Sequence, residues 1–196
     1  MEEVAFNQDH QELILAGKQG DESALTQLIE LYAPFVHRLI FSIVRDDSVV
    51  EDLAQDAFIK MLMAIENYEF RAPFKSWLTR IAVNVCRDHL RKKKVRSIMN
   101  FFKVNEETNE EQSFMDEAPN PVMLLEKDER KKILLRAMER LPASSRMILV
   151  LRELNQLSYE EIAAALGWKM GTVKSRLFRA RQELLQELAP YREDLL

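Results

Sequence analysis

Five residues of this chain fall at steps of 4, 3, 4 and 3: Arg80, Asn84, Arg87, Arg91 and Lys94. On an α-helix each residue advances about 100°, so that spacing places all five on one face. Cations grouped around a single amide suit a nucleic acid. The cations neutralise phosphates and the amide can hydrogen-bond a base edge. Just upstream, the irregular stretch from Asn67 to Pro73 holds Tyr68 and Phe70. Loop aromatics beside a basic groove can stack unpaired bases. The plainer reading is that each ring plugs the hydrophobic core.

A second cationic cluster lies near the C-terminus. Between Lys169 and Arg181 the basic residues are Lys169, Lys174, Arg176, Arg179 and Arg181, with no acid among them. Val173, Leu177, Ala180 and Leu184 fall within about 60° of one another on the helical wheel and form a buried stripe. Ser175, Phe178, Arg179 and Gln182 point the opposite way, with Lys174 and Arg181 on one flank and Arg176 on the other. In a major groove the flanking cations would meet phosphates. Ser175, Arg179 and Gln182 would reach base edges, and Phe178 a thymine methyl. A solvated helix with no ligand would mix its charges and would not expose a phenylalanine.

A third surface is not basic. The segment from Val49 to Ile65 has a core stripe of Val50, Leu53, Ala54, Ala57, Phe58 and Met61. Its other side shows Asp52, Gln55, Asp56, Ile59, Leu62 and Met63. Apolar side chains among acids suit a protein partner. The alternative is a helix buried on both sides.

The elements that must position these surfaces read as helices. "ALTQLIELYAPFVHRLIFSIV" puts Leu25, Leu28, Ile29, Tyr32, Val36, Leu39, Ile40 and Ile43 on one stripe, with a kink expected at Pro34. Asp46 or Asp47 suits the start of the next helix. Near the C-terminus, Ser158 and Glu161 have capping-box spacing before "YEEIAAALG", and Gly167 is placed to end that helix. A short amphipathic helix, a turn containing glycine and a longer basic helix make a helix-turn-helix pattern.

Composition agrees. Of 196 residues only 4 are glycine and 6 proline, too few for the turns of a many-stranded sheet, while 47% are hydrophobic, enough for folded cores. No glycine-rich phosphate cradle is present. One cysteine, Cys86, excludes a disulfide framework, and His10, His37 and His89 lack metal-ligand spacing. No catalytic constellation is visible and no cofactor is expected. "MEEVAFNQDH" lacks the apolar segment of a signal peptide. No apolar run approaches the roughly 20 residues of a membrane span. A cytoplasmic protein without membrane insertion is the expectation.

The net charge of -4 hides the sorting of charge along the chain. Between Asn105 and Glu126 stand Glu106, Glu107, Glu110, Glu111, Asp116, Glu117 and Glu126, with no lysine or arginine. Such a segment reads as a flexible acidic linker. It either holds two domains apart or competes with phosphates for their basic faces. The fold expected is therefore all-α, with two small helical domains at 1–96 and 122–196 joined by a linker at 97–121.

In this order the segments resemble the group 4, extracytoplasmic-function (ECF) sigma factors of bacterial RNA polymerase, within the sigma-70 superfamily. "ALTQLIELYAPFVHRLIFSIV", "VVEDLAQDAFIKMLMAI" and "FKSWLTRIAVNVCRDHLRKKK" are similar to region 2 of that family. "LPASSRMILVLRELNQLSYEEIAAALGWKMGTVKSRLFRARQEL" is similar to region 4. The resemblance implies a non-catalytic subunit that directs core RNA polymerase to promoters. Region 2 would recognise the -10 element through Tyr68, Phe70, Arg71, Arg80, Asn84, Arg87, Arg91 and Lys94. Region 4 would dock on the -35 duplex through Lys174, Ser175, Arg176, Phe178, Arg179, Arg181 and Gln182. The implied partners are promoter DNA, the β′ clamp helices met by Asp52, Gln55, Asp56, Ile59, Leu62 and Met63, the β flap, and an anti-sigma factor. Two departures stand out: a short stretch between Phe70 and Trp77, and Lys169 where relatives have proline or a small polar residue. The competing reading is an ordinary helix-turn-helix regulator, which would leave the Arg80–Lys94 stripe without a task.

Overall fold

The computed structural model describes residues 10–104 and 129–191, and among these it contains helices and turns but no strand. The acidic run between Asn105 and Glu126 lies outside the described residues, as does the start of the second domain expected at residue 122.

The first domain opens with α1 (Gln11–Lys18), a short helix that the sequence reading did not include. It packs through Ile14 and Gly17. A Cβ on Gly17 would meet Leu25 Cδ2 at 3.0 Å, so a larger residue there would require the Leu25 side chain to shift. α2 (Glu22–Val44) begins at Asp21, whose carboxylate accepts from the Ala24 N–H at 3.0 Å. It runs on through Pro34 and ends at Arg45 in the left-handed conformation. A 3-10 turn (Asp47–Val49) leads into α3 (Val50–Ala64). Asp46 does not cap a helix. Its carboxylate accepts from Ser48 Oγ at 2.6 Å, and that bond, helped by Lys93, holds its pKa below the ordinary value although partial burial opposes. After the turn Ile65–Asn67, α4 (Phe74–Val104) continues past residue 96 into the span assigned to the linker.

α2 supplies the axis of this domain. Leu28, Tyr32, Val36, Leu39, Ile40 and Ile43 are buried, as the stripe anticipates. Each aliphatic side chain so placed contributes roughly 1.5–3 kcal/mol relative to exposure. By length and apolar composition α2 is also long enough to cross a membrane, with a hydropathy of 1.2. This corrects the expectation that no segment approaches that length. Its buried face belongs to the core cluster shared with α3 and α4, as expected of a core helix.

The second domain comprises α5 (Glu129–Arg140), α6 (Ala143–Leu149), a wide helical turn (Val150–Leu154), α7 (Tyr159–Leu166) and α8 (Met170–Leu188). The capping box forms as its spacing requires. Ser158 Oγ accepts from Glu161 N at 3.1 Å, and Glu161 Oε2 accepts from Ser158 N at 2.8 Å. Gly167 ends α7 at φ 66°, a left-handed conformation that favours glycine.

The two domains are not held apart. α4 lies alongside α7, α2 meets α6, and buried residues of both domains form one continuous cluster, including Ile43, Val44, Ile148 and Leu151. Helical periodicity shows which face of a helix is apolar, but not which distant helix will cover it.

Candidate nucleic-acid interface

The recognition helix is α8. Val173, Leu177 and Ala180 are buried beneath it and Leu184 is partly buried, so the opposite face is turned to solvent. Phe178 is 65% exposed. Lys174, Ser175, Arg176, Arg179, Arg181 and Gln182 are exposed with it. The preceding turn is tight: Trp168 N donates to Ala163 O at 3.0 Å, and Val173 N to Lys169 O at 3.1 Å. Lys169 stands at the N-cap in extended conformation, so α8 begins normally without the proline of relatives.

Two of these cations are already engaged. Arg176 stacks over Trp168, 4.1 Å from the ring centroid. Arg181 donates through Nε and Nη2 to Glu153 Oε1 at 3.0 and 2.7 Å, a pairing that raises its pKa. Arg181 therefore braces α8 against the Val150–Leu154 turn and is not a free flank cation. Its wheel position left this open because Glu153 lies 28 residues earlier.

In the first domain, α4 presents Arg80, Arg87, Arg91 and Lys94 on its exposed side, with Asn84 half-buried between Arg80 and Arg87. On the opposite face Thr79, Val83 and Cys86 are buried beside Phe74, Leu78, Ala82 and Val85, and Trp77 is partly buried. Arg91 pairs with Asp88 at 3.5 Å, and in the loop Arg71 pairs with Glu69 at 2.6 Å. Arg87 Nη1 donates to the Leu166 carbonyl at 2.7 Å, a contact to the second domain that the helical wheel could not show.

The two loop aromatics part company. Tyr68 is 4% exposed, packed against Phe74 and Trp77 with centroids 5.4 and 5.2 Å away, and its hydroxyl donates to Ala72 O at 2.6 Å. That corrects its reading as an exposed stacking platform: the ring fills the core and the hydroxyl closes the loop over it. Phe70 is partly exposed, lies against Tyr68 at 4.7 Å, and takes a left-handed φ of 56°. Such a backbone is unusual for a bulky residue and holds the ring out of the core. Lys18 of α1 lies over the same ring at 5.4 Å and donates to the Tyr68 carbonyl. Sequence reasoning missed Lys18 because α1 itself was missed. The loop, α4 and α7 line a cavity of about 310 Å³ that includes Tyr68, Arg71, Trp77, Arg80, Glu161 and Ala164.

On α3 the third surface is exposed rather than buried on both sides. Ile59 is 52% and Met63 78% exposed, with Leu62, Asp52, Gln55 and Asp56 also open to solvent.

These features define a class: a two-domain helical protein with a helix-turn-helix in one domain, a cation-lined helix in the other, and an apolar patch apart from both. Residues 28–96 match Sigma-70 region 2 and residues 131–184 match Sigma-70, region 4. The ECF RNA polymerase sigma-E factor of Escherichia coli K12 is 36% identical over 181 residues, 92% of this chain and 94% of that protein. The RNA polymerase sigma-H factor of Pseudomonas aeruginosa is 34% identical over 188 residues. Among solved structures, the sigma factor RpoE of Bartonella quintana, in complex with the anti-sigma factor NepR, superposes with a TM-score of 0.60. It is 25% identical, across 84% of this chain and 96% of that one. CnrH, solved with the cytosolic domain of CnrY, shares the fold at a TM-score of 0.58.

The chain belongs to the ECF family of RNA polymerase sigma factors. Membership sets aside the reading as a free-standing helix-turn-helix regulator.

Proposed function

We propose that the chain directs core RNA polymerase to promoters by reading two elements with two domains. α8 enters the major groove of the -35 duplex, where Ser175, Phe178, Arg179 and Gln182 face bases and Lys174 and Arg176 meet phosphates. The α4 stripe and Phe70 handle the -10 strand once it is unpaired, with Asn84 as the base-reading amide and Arg80, Arg87, Arg91 and Lys94 on the backbone. The apolar patch of Ile59, Leu62 and Met63, rimmed by Asp52, Gln55 and Asp56, docks on the β′ clamp helices, and the second domain on the β flap. The expected domain limits are 1–96 and 122–196, with α4 of the first domain extending beyond 96 to Val104. The protein is cytoplasmic and performs no chemical step of its own, and an anti-sigma factor is its regulatory partner, as in the Bartonella quintana complex.

The observation behind this reading is the pairing of two basic helical faces on separate domains. One holds an exposed phenylalanine among cations, the other an amide among cations. The deciding experiment is run-off transcription by core polymerase with and without the chain, on promoters mapped by start-site sequencing after its overexpression. Transcription that starts at discrete sites only when the chain is present supports the reading. Discrete starts without it refute the reading.

A further inference from the structure

The loop between α3 and α4 is held from two sides. From within, the Tyr68 hydroxyl donates to Ala72 O at 2.6 Å while its ring packs on Phe74 and Trp77. From outside, Lys18 at the end of α1 donates its ammonium to the Tyr68 carbonyl, 50 positions along the chain. Phe70 stands between these two supports, at a φ of 56° and 39% exposed. A left-handed backbone on a bulky residue persists only where its surroundings hold it there. Lys18 supplies part of that hold directly, with its ammonium 5.4 Å from the centroid of the Phe70 ring.

α1 is placed to deliver this lysine. Gly17, the residue before it, is buried where a Cβ would meet Leu25 Cδ2 of α2 at 3.0 Å and Ile65 Cδ1 at 3.4 Å. The last turn of α1 thus sits against the start of the loop. Among the described residues Lys18 has no carboxylate partner, and Glu69, beside Phe70, is paired with Arg71 at 2.6 Å. The charge of Lys18 is therefore spent on the loop. Its hydrogen bond fixes where the loop backbone runs, and its contact with the ring fixes how the ring is turned.

We propose that Lys18 is a positioning residue of the single-strand site. Through the Tyr68 carbonyl and the Phe70 ring it holds that ring as a platform on which an unpaired base of the -10 strand stacks. This rests on the reading of Phe70 as a contact to the unpaired strand. Stacking gains from a ring presented at a fixed angle, because a ring free to turn must be immobilised at each binding event. α1 thereby takes part in promoter recognition without itself reading a base.

The test uses holoenzyme on a fork-junction probe made from a promoter mapped by start-site sequencing. Its single-stranded -10 segment carries 2-aminopurine at successive positions. Stacking quenches this fluorophore, so the position whose quenching is lost in Phe70→Ala marks the base on the platform. Lys18→Met keeps the stem and removes the charge and the donor. It should weaken fork binding about fivefold and relieve quenching at that same position, while the full chain still binds the -35 duplex like the parent. Lys18→Arg, which returns a cation and a donor, should restore most of both readouts. With Phe70→Ala already present, Lys18→Met should cost nothing further, since no ring is left to hold. Parent-like binding and quenching in Lys18→Met, beside a defective Phe70→Ala, overturns the proposal and leaves the reading of Phe70 intact. The same loss with and without Phe70 makes the lysine an independent phosphate contact and also overturns it. So does a loss on the -35 duplex equal to that on the fork, which marks a support of the fold only. No change at any position in Phe70→Ala overturns the reading of Phe70, and the proposal with it.

Discussion

Arg176 lies with its guanidinium 4.1 Å from the centroid of the Trp168 ring. The turn of the helix-turn-helix thus aims a cation of the recognition helix before any DNA arrives. Exposed cation–π pairs are worth about 0.5–1 kcal/mol. Trp168→Ala should therefore weaken duplex binding several-fold although no DNA contact is assigned to Trp168. In a double-mutant cycle by fluorescence anisotropy, Trp168→Ala and Arg176→Ala should be non-additive. Full additivity would show that the stacking has no part in binding.

Arg179 and Lys174 should separate base reading from phosphate contact. Arg179→Ala is expected to cost about 1–3 kcal/mol on the preferred -35 sequence and to relax discrimination there. Lys174→Ala should weaken all duplexes alike and flatten the salt dependence. Titrations across a set of variant duplexes distinguish the two, and sequence-blind losses from both variants would remove Arg179 from base readout.

Asn84 should act at strand opening. Asn84→Ala is expected to impair open-complex formation by holoenzyme, followed by permanganate reactivity, while -35 duplex binding survives. A pre-melted bubble should restore part of the activity, because it supplies the few kcal/mol of unstacking beforehand. No restoration at all would place the defect elsewhere.

Met63 is the most exposed of the apolar residues on α3. Met63→Glu should leave thermal stability within about 0.5 kcal/mol, since little packing is lost. Its affinity for core polymerase in a competition assay should fall at least tenfold, because a carboxylate would be buried unpaired in an apolar contact. A clear loss of stability instead would mean that the side chain supports the fold.

Alkaline pH should loosen the first domain through Cys86. Burial pushes its thiol up from the ordinary 9.0 to about 12, against a smaller backbone effect. The folded pKa is the raised one, so the stabilising contribution is complete below about pH 9 and is lost as pH climbs toward the folded value. Tyr32, pushed up to about 12 by burial and then by Tyr68, acts in the same direction. Urea midpoints between about pH 8 and 11 should decline, and Cys86→Ala should make that decline shallower, whatever packing it costs at neutral pH. Parallel slopes for the two proteins would clear the thiol of any role.

What could be read from sequence was what neighbours along the chain decide. Ser158 and Glu161 meet because residues three apart on a first helical turn must meet, and Gly167 ends α7 because a left-handed residue is needed there. The buried stripe of Val173, Leu177 and Ala180, and the solvent face of Phe178 opposite it, follow from helical periodicity alone. The family signature and the three surfaces lay in those local patterns.

Tertiary structure decided what depends on residues far apart in the chain. Tyr68 and Phe70 are two positions apart in one loop, yet Tyr68 packs on Phe74 and Trp77 in the core while Phe70 is partly exposed. Arg181 is paired because Glu153 folds back beneath it. Arg45 finds Glu139 across 94 positions and Arg146 finds Ile43 across 103. Periodicity says which side of a helix seeks burial. Only the packed chain decides what covers it, because burial depends on the shape and polarity of a surface contributed by another segment.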